Sequence, residues 1–109
     1  KVIRGWLGIE VRTLDEELAR QIGVHARKGV AVAGIVRGGP AHAGGMEPGD
    51  ILTTINGETI EDASEAINRI AALKPGTTMR ATVLRNNREV ELQVRIGERP
   101  TESDSPLQE

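Results

Sequence analysis

Two alternating runs near the end of the chain constrain its fold more than any other feature. Met79, Ala81 and Val83 alternate with Arg80 and Thr82, while Val90, Leu92, Val94 and Ile96 alternate with Glu91, Gln93 and Arg95. A period of two sends one set of side chains to a buried face and the other to water, so each run reads as a strand with one covered face. Asn86 and Asn87, between the runs, suit a tight turn, and the whole predicts an antiparallel hairpin.

The rest of the chain is punctuated by turn residues in the same way. Residues 9–12 are strand-like, and Thr13-Leu14-Asp15-Glu16 has capping-box spacing ahead of Leu14, Leu18 and Ile22, which predicts a short amphipathic helix ending at Gly23. The β-branched residues of 29–36 predict a strand, stopped by Arg37-Gly38-Gly39-Pro40, and Pro40 begins a helical turn over 41–43 that ends at Gly44-Gly45. Pro48-Gly49-Asp50 turns into a strand over 51–55. Asn56-Gly57 is then a type I′ hairpin signal that pairs residues 58–60 back. Asp62 and Glu65 repeat the capping logic before a helical stripe of Ala63, Ala66, Ile67, Ile70 and Leu73, which stops ahead of Pro75-Gly76. Five or six short strands with two helices predict a mixed α+β domain, a partly open antiparallel barrel or sandwich capped by helices. The folded unit is expected over residues 1–99. Residues 100–109 are polar with two prolines and are expected to form a disordered tail.

Composition removes several function classes. A chain of 109 residues suits one domain, and its single aromatic residue, Trp6, leaves a core of Val, Ile, Leu, Ala and Met. The net charge is −2, with no basic block and no aromatic stacking platform, which argues against nucleic-acid binding. No stretch reaches the roughly 20 apolar residues of a membrane span, and no signal-peptide pattern opens the chain, so it reads as a soluble piece of a longer protein. The absence of cysteine fits an oxidising compartment without requiring one. His25 and His42 have no second ligand at metal spacing, and no metal or other cofactor is expected. Ser64 lies in a capping sequence and Ser103 and Ser105 in the tail, so the chain is expected to carry no catalytic machinery of its own.

The chemistry-bearing segment is Arg4-Gly5-Trp6-Leu7-Gly8-Ile9. Its two glycines let successive amide N–H groups turn toward one point, which makes a cradle for an anion such as a peptide's terminal carboxylate. The strand that follows can pair with the rest of that peptide.

These residues resemble a PDZ domain, and in detail those of the HtrA family of trypsin-like serine proteases, over roughly residues 1–97. The family's carboxylate-binding loop matches Trp6-Leu7-Gly8-Ile9, preceded by the Arg4-Gly5 typical of the HtrA group. A second pattern matches Pro40-Ala41, Gly45-Met46, Pro48-Gly49-Asp50-Ile51 and Asn56-Gly57. The element order resembles the bacterial, circularly permuted form of the fold, with the final strand over 90–96. Gly44 departs from the alanine common in the family, and the short turn before it is expected to be frayed.

The resemblance implies that a partner's C-terminus adds as an antiparallel strand beside residues 7–11, Glu10 included, between that strand and the helix beginning near Ala63. Its carboxylate rests on the N–H groups of Leu7, Gly8 and Ile9, favoured by Arg4, with Trp6 as a neighbour. The last side chain enters a pocket of Leu7, Ile9, Ala66, Ile67 and Ile70, with Ala63 and Val11 further along. It also implies a regulatory domain of a periplasmic, trimeric protease, similar to the DegS-like stress sensors of unassembled outer-membrane proteins, in a parent chain anchored to the inner membrane. Two other readings remain open. One is an assembly or inhibitory surface whose groove stays empty, and the other a module that feeds substrates without switching the enzyme. The Arg4–Ile9 run argues against an intramembrane or tail-specific protease.

Overall fold

The alternating runs close the hairpin that their period predicts. In the computed structural model, which describes residues 4–25 and 28–98, β6 (Thr78–Arg85) pairs with β7 (Arg88–Arg95) in unbroken register from Thr78↔Arg95 to Arg85↔Arg88. Asn86 and Asn87 carry the turn at φ 55° and 62°, the left-handed backbone that asparagine tolerates. Met79, Ala81, Val83 and Val94 are buried. Val90 and Leu92 are only partly covered, because β7 is an edge strand.

Ahead of this hairpin run β1 (Gly5–Trp6), β2 (Ile9–Thr13), α1 (Glu16–Ile22), β3 (Val30–Ile35), α2 (Pro40–Ala43), β4 (Ile51–Ile55), β5 (Glu58–Thr59) and α3 (Ala63–Ala71), and β8 (Gly97–Glu98) follows it. The antiparallel sheet has the order β2-β3-β4-β6-β7, with β5 on β4, and β8 returns to pair with β1. Asn56 and Gly57 make the turn into β5 at φ 51° and 84°. The architecture is thus the expected mixed fold, an open antiparallel sheet with helices over it, α2 being the turn that Pro40 starts. The tail expected from residue 100 lies outside the described residues.

The main core joins the sheet to α3 through Leu7, Val30, Leu52, Ile60, Ala66, Met79 and Ile96, and a smaller cluster of Leu14, Ala19, Ala31 and Ile51 lies under α1. Burial of each large apolar side chain stabilises the fold by about 1.5–3 kcal/mol. α3 begins as its sequence suggests: Asp62 accepts the Glu65 N–H at 2.8 Å, and the Glu65 side chain accepts the Glu61 N–H at 3.0 Å.

One local expectation is corrected. The cap of α1 is Asp15, whose carboxylate accepts the Leu18 N–H at 2.8 Å, so the capping box beginning at Thr13 does not form. Thr13 still belongs to β2, and its hydroxyl is engaged elsewhere. Gly44 is the C-cap of α2, in ordinary right-handed conformation, and its N–H donates to the Pro40 carbonyl at 2.9 Å. It is small because β7 passes close: a Cβ at Gly44 would meet Val94 Cγ2 at 2.7 Å and the Gln93 carbonyl oxygen at 3.1 Å.

Candidate functional site

β2 has a strand neighbour on one side only, β3, and α3 stands over the other. The register fixes which way its donors face. Val36 N–H donates to the Gly8 carbonyl at 2.9 Å, flanking the Ile9↔Ile35 pair, so that pair is the non-hydrogen-bonded type and the Ile9 N–H points away from β3. The irregularity between Glu10 and Val11 leaves Ala33 of β3 without an opposite partner, so β2 keeps its own alternation. Ile9 and Val11 lean on the main core beside α3, while Glu10 and Arg12 are exposed.

The loop before β2 is built to present amide groups. Gly8 adopts φ +76°, a left-handed backbone, and a Cβ there would press on the Trp6 ring and on Val36, each at 3.3 Å. The carbonyls of this loop are tied behind it: that of Leu7 accepts the Ala41 N–H at 2.9 Å, and that of Gly8 accepts from Val36. Their N–H groups are not: among the described residues, neither Leu7 nor Gly8 donates its N–H to a protein acceptor, although both residues are buried. Buried amide donors almost always find a partner, so two adjacent unpaired ones beside the outward Ile9 N–H form a concavity suited to an anion.

A hollow of about 290 Å³ adjoins these donors, lined by Arg4, Gly5, Trp6, Leu7, Ile9, Ile67, Ile70 and Ala71. Six of the residues singled out from sequence therefore surround one cavity. Gly8 shapes the loop beside it, while Glu10 and Val11 continue along β2. Ala63 starts α3, with its N–H on the Thr13 hydroxyl at 2.9 Å. Ala66 is fully buried in the main core and is not among the residues lining the hollow. Ile67 projects from the same helix with 56% of its surface exposed. Gly5 and Ala71 were not among the sequence candidates. Gly5 lay in the motif, but only its closeness to α3 reveals its place in the wall.

A larger hollow of about 420 Å³ lies between α1 and the sheet, lined by Glu10, Arg12, Leu18, Ile22 and their neighbours. Size does not decide between the two, because the smaller one lies at the loop whose Leu7 and Gly8 amides have no acceptor among the described residues. Among the described residues, no group of three or more His, Cys, Asp or Glu side chains is placed to hold a metal ion. No helix among them is long and apolar enough to cross a membrane.

Residues 5–96 match the family model described as a PDZ domain. A probable periplasmic serine endoprotease, DegP-like, from Rhizobium meliloti (strain 1021) is 31% identical over 96% of this chain and 21% of that protein. Among solved structures, the HtrA-type protease AlgW with a decapeptide superposes with a TM-score of 0.85 at 42% identity, over 91% of this chain and 30% of that one. The same protease with a tripeptide gives 0.81 at 42% identity, over 93% and 34%. The chain spans about a fifth of the length of the curated relative it matches.

Proposed function

This chain belongs to the PDZ domain family, and on that premise we propose that it is the peptide-receiving, non-catalytic module of a periplasmic HtrA-type serine endoprotease. It captures the free C-terminus of a misfolded or unassembled protein by strand addition to β2 and thereby controls the attached protease. The observation that carries this reading is the run of amide donors at Leu7, Gly8 and Ile9, the first two without an acceptor among the described residues and the third facing away from β3, beside a hollow at the open edge of β2. A terminal carboxylate satisfies those donors, and Arg4 at the rim adds favourable charge. An apolar or aromatic last residue fits the hollow between Leu7, Ile9, Ile67 and Ile70, and by the family likeness we take unassembled outer-membrane proteins as its source. Relatives solved with a decapeptide and a tripeptide support the ligand class. By the same family likeness, we place the parent in a trimer anchored to the inner membrane.

The expected affinity is modest. Three or four main-chain hydrogen bonds contribute about 1 kcal/mol each, and one buried side chain about 1.5–3 kcal/mol. At least about 4 kcal/mol of association cost offsets them. These contributions leave at most about 3 kcal/mol, weaker than a millimolar dissociation constant, so charge-assisted bonds to the carboxylate must supply the rest of any tighter binding.

Trp6 is the single tryptophan and lines the hollow, so its emission reports binding. A decapeptide ending in phenylalanine is expected to bind, and its C-terminally amidated twin to bind at least about tenfold more weakly, because charge-assisted bonds to the loop are lost. Equal binding of the two would rule out the carboxylate cradle. Flat titrations with both would favour the assembly reading, in which the groove stays empty. Whether the module switches the enzyme or only delivers substrates is read from peptide-dependent turnover of a small reporter substrate by the full-length protease.

Ile67→Asp tests the hollow itself. Ile67 is largely exposed in the free chain, so the substitution should leave the melting temperature nearly unchanged. Peptide binding should fall about tenfold or more, since the ligand's apolar side chain would desolvate an unpaired carboxylate. Full affinity in the folded variant would move Ile67 out of the ligand's path.

A further inference from the structure

We propose that Thr13 is a positioning residue that sets the spacing of the groove walls at the end remote from the carboxylate loop, and so decides how strongly ligand residues beyond the third from the terminus are held. This inference rests on the peptide-receiving reading given above.

Thr13 closes β2, opposite Val30 of β3, and its hydroxyl accepts the Ala63 N–H at 2.9 Å. Ala63 is the first residue of α3, whose initial N–H groups have no partner inside the helix. The cap residue Asp62 serves the Glu65 N–H, leaving that of Ala63 to an acceptor outside the helix. Among the described residues, this is the one hydrogen bond that joins β2 to α3. On its other side α3 is fastened by Arg69, which binds Glu58 of β5 and, at 3.3 Å, Glu65 of its own helix. The Thr13 bond therefore ties the N-terminal end of α3 to β2.

The geometry of strand addition locates the effect along the ligand. Side chains on one face of a strand recur every second residue, so Ile9, Val11 and Thr13 share the face toward α3. With the carboxylate at Leu7–Ile9, the last ligand residue lies opposite Ile9, the third from last opposite Val11 and the fifth from last opposite Thr13. A tripeptide stops short of the Thr13–Ala63 bond, whereas a decapeptide must pass it. With the bond present, the two walls keep a preset spacing there. Without it, the first turn of α3 must be ordered at the moment of binding, and this lowers affinity.

The test measures wild type, Thr13→Val and Thr13→Ser against a tripeptide, a pentapeptide and a decapeptide sharing one C-terminus, together with hydrogen exchange at the Ala63 amide. Thr13→Val keeps the shape and removes the acceptor. It is expected to weaken the pentapeptide and decapeptide about fivefold while changing the tripeptide less than about twofold, and to speed exchange at Ala63. Thr13→Ser restores both readouts. Equal weakening at every length, no weakening, or tighter binding of the long peptides would overturn the proposal. Unchanged Ala63 exchange would overturn it independently of any peptide. Failure of wild type to bind any of the three would instead overturn the peptide-receiving reading.

Discussion

Replacing Gly5 by alanine is expected to destabilise the fold by about 3 kcal/mol, near the top of the usual range for overpacking, and to abolish measurable peptide binding. The first Cβ atom there would lie 2.4 Å from the Ile70 carbonyl oxygen, 2.5 Å from that of Leu73 and 2.9 Å from Ile96 Cγ2. Two of these are backbone oxygens, one in the last turn of α3 and one just beyond it, which cannot rotate aside, so β1 and α3 must separate. Both form the wall of the ligand hollow, and β1 leads directly into the Leu7–Gly8 loop. Urea denaturation reads the loss of stability, and Trp6 emission the loss of binding. Gly23→Ala is the control: Gly23 has φ +78° with open space around it, so alanine there meets only the left-handed backbone strain of about 1 kcal/mol. If the two variants lose equal stability and both still bind peptide, close approach of β1 to α3 is not what glycine provides at position 5.

The contrast between these glycines marks how far the sequence could be read. Features set by local chemistry were legible. The period-two runs define β6 and β7, Asn56-Gly57 defines the turn into β5, and Asp62 with Glu65 starts α3. The proposed cradle also rests on consecutive amides, but glycine spacing alone more often marks an ordinary turn, and it was the second motif, Pro40-Ala41 through Asn56-Gly57, that pointed to it. Features set by distant contact were not. The Thr13-Leu14-Asp15-Glu16 spacing pointed to a cap at Thr13. Asp15 captured the α1 N-terminus, and the Thr13 hydroxyl met an N–H fifty residues away, at Ala63. Ala66 and Ile67 are adjacent in one apolar stripe, but one is fully buried and the other 56% exposed. Only the placement of α3 against β1 and β2 divides that stripe between core and groove. Gly44 carried a family expectation of alanine, and the reason for its size lies in β7.

The pairing of Asp50 with Arg85 left no sequence signal, and it yields the largest stability effect argued for this chain. Asp50, only 1% exposed, accepts hydrogen bonds from Arg85 Nε at 2.9 Å and from the terminal guanidinium nitrogen at 2.7 Å, across a separation of 35 residues. The Glu47 N–H supplies a third bond, and Arg85 also donates to the Gly45 carbonyl at 2.8 Å. Hydrogen bonding to Asp50 raises the Arg85 pKa above its ordinary value. The two partners are not equivalent, because the Arg85 side chain keeps 27% of its surface in water while that of Asp50 keeps 2%. Arg85→Met is therefore expected to cost about 3–5 kcal/mol, since it strands a buried carboxylate with one remaining donor. That is a large share of the roughly 5–15 kcal/mol that holds a domain of this size. Asp50→Asn keeps the shape and leaves a cation that can turn to solvent, so it should cost clearly less, about 1–3 kcal/mol. Combining Asp50→Asn with Arg85→Met should then recover part of the single-variant loss, giving a double-mutant coupling of at least about 1 kcal/mol in urea denaturation. Additive losses, or an Asp50→Asn variant less stable than Arg85→Met, would mean that burial of the carboxylate is not what makes this pair matter.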